Sequence, residues 1–521
     1  MTSLPQAGGS ARGWPLALAL ALAAVGAAAI PILPAGPDVY VHLLWTQQAM
    51  RCLGEGALPV WLPDLNAGFG SPGVRLYSPL GPFLAGVLGL LLGGAGQGMR
   101  ALAVLAAGGP LVALWRRSRW RGAAEWALIV ASPLAVYSLF WRSAWSEYYA
   151  IPLLWWLLDR AVAGEVRAAR DGTALALLWL THAPTAAMTV LVATVALAAR
   201  RDRRTTVRAA LAGTAAAGFT AWHWLPLLSE MRLVGNREAL VGGIYEAARN
   251  VLAAPAPADA SANTWLAWCG VALLGAAVAG SWWRDQVPRF AVLVTCVLLA
   301  SPLATSLWRM PTPLAYLQFP WRLLLPAAVV AAGAAPLARG GRAAASAALL
   351  VAPLALFAPQ PLAPDPGLGR RASWEELGWA VQGAFEGSPW VVDAAQNRPE
   401  AFAHLGVNLD RFGHGRVLLS GAGDWSIERW RVLDREVVLD LPEPARVELR
   451  VLDYPFWEVT LDGAAVAGPN RGGVIGADVP GGTHELRVRW AGNPLSRVGW
   501  AVATLTVAVL VLFAFARRRR V

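Results

Sequence analysis

The chain has 521 residues, 56% of them hydrophobic, and a formal net charge of +11 at pH 7. Soluble domains are roughly 45–50% apolar with short periodic groups, whereas here the apolar residues come in long runs, which excludes an ordinary soluble globule. The charge is no nucleic-acid signature either, because 19 acids and 14 arginines lie within residues 365–497 and the basic excess sits elsewhere, in short clusters between apolar runs.

Every basic residue is an arginine, and most serve topology. The three cysteines, Cys52, Cys269 and Cys296, show no CxxC spacing, so neither a disulfide framework nor a zinc site is expected. Residues 14–34 form the first apolar run. A helix needs about 20 such residues to cross ~30 Å of hydrocarbon. The run is longer than a cleaved signal core and reads as a retained signal anchor with its N-terminus inside, cleavage near Ala29 being the alternative.

The outer loop 35–78 follows. Asp38 and His42 are four apart and share a face if helical. The rest of the loop, G-E-G-A-L-P-V-W-L-P-D-L-N-A-G-F-G-S-P-G-V-R-L-Y-S-P-L, is rich in Gly, Pro and aromatic residues. A long irregular loop of that kind is functional rather than a plain connector. Asp64 and Asn66 read as turn formers. Runs 79–94 and 99–115 come next. Two crossings there give the wrong parity, and a break at Gly108-Gly109-Pro110 is one way out.

Arg116, Arg117, Arg119 and Arg121 should be inside, so helices 122–140 and 143–158 put the W-R-S-A-W-S-E turn, Trp141 to Glu147, outside. Segment 172–199 is basic at both ends and broken at T-H-A-P. Two short helices that go up and come back resolve this, with His182 at the tip, lining a cavity near the outer surface. Helices 207–228, 263–283, 288–307, 323–338, 343–359 and 498–516 follow, for about 12–14 membrane segments in all. His223, beside two tryptophans, reads as structural. The basic tail Arg517 to Arg520 is cytoplasmic, which places 360–497 outside. R-V-E-L-R-V-L (446–452), F-W-E-V-T-L (456–461) and H-E-L-R-V-R-W (484–490) alternate as strands, with turns at Asp462-Gly463 and Gly481-Gly482. The predicted architecture is an α-helical polytopic membrane domain, 1–359, then an extracytoplasmic antiparallel β-sandwich, 360–497, then a last membrane helix and tail, 498–521.

An acid just after the first helix, a re-entrant outer loop and many irregular helices resemble the GT-C glycosyltransferases. D-x-x-x-H, the G-x-L-P-x-W-x-P-D-x-N-x-G-x-G-S-P loop, L-Y-S-P-L, R-S-A-W-S-E, L-T-H-A-P-T-A and L-Q-F-P-W-R-L-L are similar to bacterial membrane proteins labelled pyruvoyl-tetrahydropterin synthase related. D-Y-P-F-W-E-V-T-L-D-G resembles the outer β domain of related large membrane proteins. The GT-C resemblance implies transfer of a sugar from a polyprenyl-phosphate-linked donor to a glycan, lipid or protein acceptor of the cell envelope, on the outer face of the bacterial inner membrane. It implies Asp38 as general base or ligand of a divalent ion, Mg or Mn. The leaving phosphate needs positive charge, for which Arg75, Arg142 and Arg322 are the outer-side candidates. His42, Tyr77 and His182 are further candidates to bind substrate, and Glu147 would hold Arg142 or a metal. The rival readings are a lipid or oligosaccharide flippase and a non-catalytic membrane scaffold. A flippase should show internal repeats and polar residues at mid-membrane, and neither is apparent.

Overall fold

The computed structural model describes residues 38–65, 68–73, 77–116, 120–230, 246–253, 260–280, 282–310, 313–335, 341–353, 411–412, 415–466 and 473–518. The proposed signal anchor, Asn66, Arg75 and residues 360–410 lie outside them. The described residues divide into two compact units. One draws on the ranges 1–42, 96–217 and 240–364, the other on 43–95, 218–239 and 365–521.

The chain opens with α1 (Val39–Gly54), whose first turn belongs to the first unit, and α2 (Leu80–Leu92). The first unit is helical. It holds α3 (Ala95–Arg116), α4 (Trp120–Val130), α5 (Trp145–Ala163), α6 (Ala168–Thr181), α7 (Ala183–Arg200), most of α8 (Arg203–Phe219), α10 (Ala260–Ala279), α11 (Val287–Ala300), α12 (Leu324–Ala334) and α13 (Gly341–Val351). Its centre is α12, in which every residue is buried. Alternation of Leu, Val and Ala on all sides suits a helix with no solvent face.

Three helical stretches among the described residues are long and apolar enough to cross a membrane: 95–114, 183–200 and 494–512. Two bent pairs, 122–130 with 133–141 and 287–300 with 302–308, raise that to five. These stretches make the chain a membrane protein. Among the described residues α2, α12, α13 and the helix 263–279 are apolar but shorter, and the first apolar run of the expected 12–14 segments lies outside the described residues. A break at Gly108–Pro110, one way out of the parity conflict, does not occur. α3 runs through Pro110 unbroken, as apolar helices tolerate where neighbouring groups satisfy the freed carbonyl.

The segment 172–199 does turn back on itself. α6 ends at His182, whose extended backbone (φ −158°, ψ 96°) stops the helix, and α7 starts at once. Leu178 and Ala186, on either side of the break, pack on Ala150 near the start of α5. The far ends meet the other end of α5: Arg160 binds Asp171 of α6, and Arg200 of α7 donates to the Val162 carbonyl. The unit therefore has one end carrying Arg142, Glu147 and His182, and an opposite end carrying Arg160, Arg170 and Arg200.

The second unit is built on eight antiparallel strands in two sheets. β1 (Val417–Ser420), β4 (Ala445–Leu452) and β7 (Val474–Val479) form one, in the order β1-β4-β7. β2 (Asp424–Trp430), β3 (Asp434–Leu441), β8 (Gly482–Trp490), β5 (Trp457–Leu461) and β6 (Ala464–Ala465) form the other, in that order. Alternate residues such as Val437 and Leu439, Val447 and Leu449, and Leu486 and Val488 are buried between them. Asp462 and Gly463, with φ of 50° and 80°, make the expected two-residue turn between β5 and β6.

The aromatic residues of the 35–78 loop join this core. Trp61 lies 5.2 Å from Trp457, 5.5 Å from Trp490 and 5.9 Å from Tyr454, centroid to centroid. Phe69 packs on Phe412, and its carbonyl accepts from Leu452 N. Asp64 binds Gln48 and Arg51 of α1, which fixes the loop to that helix. α9 (Ala221–Glu230) packs on α14 (Pro494–Arg518) with Trp222 stacked 5.0 Å from Trp500. Glu230 accepts from Tyr454 Oη and from Asn493 Nδ2, tying α9, the strands and the start of α14 together.

Candidate functional site

Residues from four separate sequence motifs converge at one end of the helical unit. D-V-Y-V-H contributes Asp38 and His42, R-S-A-W-S-E contributes Arg142, Ser146 and Glu147, L-T-H-A-P-T-A contributes His182 and Thr185, and L-Q-F-P-W-R contributes Phe319, Trp321 and Arg322.

Irregular backbone delivers the central arginine. After a cap by Ser132 and one turn of helix, Tyr137–Trp141 winds as a π-helix, and Arg142 N donates to the Tyr137 carbonyl at 3.0 Å. Such turns inside helices are frequent at functional sites. Ser143, at φ 56°, and Gln318, at φ 60°, hold left-handed conformations on either side of the cluster. Non-glycine residues there store roughly 1–3 kcal/mol each, which the surrounding packing must offset.

Arg142 Nη2 donates to Asp38 Oδ2 at 2.9 Å, and its Nη1 donates to Glu147 Oε2 at 3.4 Å. Arg322 Nε lies 3.3 Å from the same Glu147 oxygen. Ser138 Oγ donates to Glu147 Oε1 at 2.8 Å. Glu147 is thus buried, 1% exposed, between two guanidiniums and a hydroxyl, whereas Asp38 is 29% exposed. Phe319 lies 5.2 Å from Arg142 Cζ and 4.7 Å from Arg322 Cζ, and Trp321 lies 5.1 Å from Arg142 Cζ. Aromatic faces favour cations without adding hydrogen-bond acceptors that would lock them.

His42 is buried, with Nδ1 3.5 Å from Ser146 Oγ. Burial pushes its pKa down to about 4, Asp38 opposing and Arg142 adding to the shift, so its ring is neutral at pH 7. His182 caps α7: its Nδ1 accepts from Thr185 N at 3.3 Å and lies 2.6 Å from Thr185 Oγ1. The charges of Arg322 and Arg142 act on its ring, which places it beside the cluster.

The structure thus gathers Asp38, His42, Arg142, Glu147, His182 and Arg322. Arg75 lies outside the described residues, and Tyr77 belongs to the other unit, 5.8 Å from Trp45. A metal at Glu147 does not fit, because both its oxygens are already engaged by cations or a hydroxyl, and a divalent ion there would face two guanidiniums. Among the described residues no group of three or more His, Cys, Asp or Glu side chains is placed to hold a metal. Sequence reasoning missed Ser138, Phe319 and Trp321. The signal for the last two was present in F-P-W-R, where aromatic residues flank an arginine.

A second polar constellation lies toward the opposite end. Trp155 Nε1 donates to Glu125 at 2.8 Å, Arg289 pairs with Asp159 at 3.2 Å, and Gly333 lines the small pocket between them. A Cβ on Gly333 would stand 2.7 Å from Glu125 Oε1, so a larger residue there would require the Glu125 carboxyl to shift.

No protein-family model and no curated protein matches the chain. Among solved structures it is similar to the arabinofuranosyltransferase AftD from mycobacteria, seen by single-particle cryo-EM, at 19% identity and a TM-score of 0.38. The match covers 73% of this chain and 27% of that one, so the chain spans about a quarter of that protein's length.

Proposed function

We propose that the protein is a GT-C-type membrane glycosyltransferase that moves a sugar from a polyprenyl-phosphate donor to a cell-envelope acceptor. The observation that carries the reading is the asymmetry of the cluster: two buried guanidiniums share one buried carboxylate, and a second, half-exposed carboxylate sits on one of them. Arg142 and Arg322 supply the fixed positive charge that a leaving phosphate needs. Asp38 is the group that an acceptor hydroxyl can reach.

In this reading the donor phosphate displaces Asp38 from Arg142 and so frees the carboxylate. Asp38 takes the proton of the acceptor hydroxyl as its oxygen attacks the anomeric carbon. The bond from that carbon to the phosphate oxygen breaks, and the polyprenyl phosphate departs with the electron pair, inverting the anomeric centre. Glu147 keeps both guanidiniums in place, neutral His42 orients substrate hydroxyls, and the step is written through arginine rather than metal. The resemblance to proteins labelled pyruvoyl-tetrahydropterin synthase related belongs to the same reading, since four of its motifs supply these side chains.

The proposed orientation rests on the clusters. Arg160, Arg170 and Arg200 lie at the end away from Asp38, and such clusters face the cytoplasm. The thirteen residues of α2 span only about 20 Å at 1.5 Å per residue, too little for a crossing. In the proposed orientation Asp38 faces the outer side of the bacterial inner membrane, and the strands of 417–490 are extracytoplasmic.

The test is transfer of labelled sugar from polyprenyl phosphate by purified protein in nanodiscs. Silence with every lipid-linked sugar tried, in the presence of an envelope extract as acceptor, turns the assignment toward a scaffold. A cysteine at Ser420 should react with an impermeant thiol reagent in intact spheroplasts. Reaction only after lysis overturns the orientation.

A further inference from the structure

Two arginines of the sandwich unit have no acidic partner among the described residues. Arg435, on β3, is 2% exposed, and its Nε and Nη1 reach no hydrogen-bond acceptor. Its Cζ lies 4.7 Å from the Trp457 ring centroid and 5.3 Å from that of Trp430. Arg416 is exposed at the surface, and its Cζ lies 5.4 Å from the same Trp430 ring.

The acids nearby are already committed. Glu55 accepts from Val432 N at 2.6 Å and pairs with Arg51 at 3.6 Å. Asp434 is held by Arg429 at 2.8 Å and by Arg487 at 3.1 Å, and Glu436 by Arg429 at 3.0 Å. Burial, with Arg51 adding, pushes the Arg435 guanidinium down to about 9, Glu55 and Asp434 opposing and Arg416 adding. A buried cation without a counter-ion is unfavourable, and a second cation on the same ring makes it more so. Cation–π contacts with two indoles offset part of this and leave the donors unfilled.

We propose that the exposed Arg416 and the half-buried Trp430 form a binding site for an anionic saccharide, the oxyanion on the Arg416 guanidinium and the apolar face of the sugar ring against the indole, with the buried charge of Arg435 beneath the same ring adding to the attraction. A carboxylate or phosphate matches the guanidinium fork. An exposed Arg416 is the point of entry, and the ring that both arginines approach gives the ligand an apolar floor. That the saccharide belongs to an envelope polymer rests on the function proposed above. The oxyanion site itself does not.

The experiment reads binding and needs no donor. Full-length protein in phosphatidylcholine nanodiscs is titrated calorimetrically with tri-galacturonate, with galactotriose and with inorganic phosphate. Tri-galacturonate should bind at least about tenfold more tightly than either of the others. Arg416→Ala changes an exposed side chain, so the fold survives, and it should weaken tri-galacturonate by about tenfold. Trp430→Ala should weaken it too, while Arg416→Lys should restore part of the loss. Equal affinity for galactotriose, or wild-type affinity in Arg416→Ala, overturns the proposal. Phosphate binding as tightly as tri-galacturonate reduces it to a small-anion site and overturns the saccharide. Loss of tri-galacturonate binding in phosphatidylglycerol nanodiscs assigns the site to a lipid headgroup instead. Saccharide binding by a protein that transfers no sugar sinks the glycosyltransferase and leaves this site standing.

Discussion

Asp38 and Arg142 are joined twice. The guanidinium donates to the carboxylate at 2.9 Å, and the Asp38 backbone N–H donates to the Arg142 carbonyl at 3.0 Å. The main-chain bond keeps Asp38 in position when the side-chain pair opens, which is what a carboxylate that must trade its partner for a substrate requires.

Asp38→Asn keeps shape and main-chain contact and removes the charge. Sugar transfer should fall by about 10²–10⁴-fold with membrane insertion and melting temperature preserved. Transfer at the wild-type rate in this variant makes Asp38 a structural residue.

Arg322→Lys keeps charge and loses the planar fork. The ammonium of the variant would still balance Glu147, so folding should hold, while the KM for the lipid-linked donor should rise by about tenfold with a smaller change in kcat. An unchanged KM with an unchanged kcat removes Arg322 from donor handling.

Glu147→Gln leaves Arg142 and Arg322 buried without their shared anion. Removing one partner of a buried ion pair costs about 3–5 kcal/mol, so the variant should melt well below wild type or fail to accumulate. Wild-type transfer should be insensitive to EDTA. Loss of transfer on chelation, restored by Mg or Mn, contradicts the arginine-based account and returns a metal to the site.

His42 gives the fold a sensitivity to acid. Its folded pKa of about 4 lies below the ordinary 6.5, so between those values the unfolded chain binds more protons and stability falls as pH falls. Above pH 6.5 the contribution is flat. His42→Gln should lessen the loss of thermal stability between pH 6.5 and 4. An identical pH dependence in the variant shows that the ring is not buried neutral.

Trp61→Ala should destabilise the β-sandwich by about 3–5 kcal/mol, since a large buried ring is removed from a packed core. Protease sensitivity of 411–490 in the intact protein reads this out. A sandwich as resistant as wild type shows that the loop aromatics are dispensable.

The sequence was most legible where pattern is local. Strands β4, β5 and β8 and the turn at Asp462-Gly463 follow from alternation and from two residues that tolerate positive φ. The hairpin at His182 followed from arginines at both ends of one apolar run. The outer loop was only partly legible: its composition set it apart from a plain connector, but not that Trp61 and Phe69 fill a core whose other members lie hundreds of residues away. Asp38, Arg142 and Arg322 were visible singly as charges next to apolar runs. That Glu147 binds both arginines was not, because composition cannot distinguish a carboxylate that waits for a metal from one already enclosed by guanidiniums.

The sandwich core unites Trp61 with Trp457 and Trp490, about 400 residues later in the chain. At roughly 5–20 residues per second the ribosome needs on the order of 20–80 s to cover that distance. During this interval the aromatic loop has been made and its partners have not. A ribosome stalled before residue 411 therefore leaves both Trp61 and Phe69 without the partners that bury them, a ready target for a chaperone or protease. Completion of the last strands is thus the step at which Trp61, made about 400 residues earlier, gains the rings that bury it.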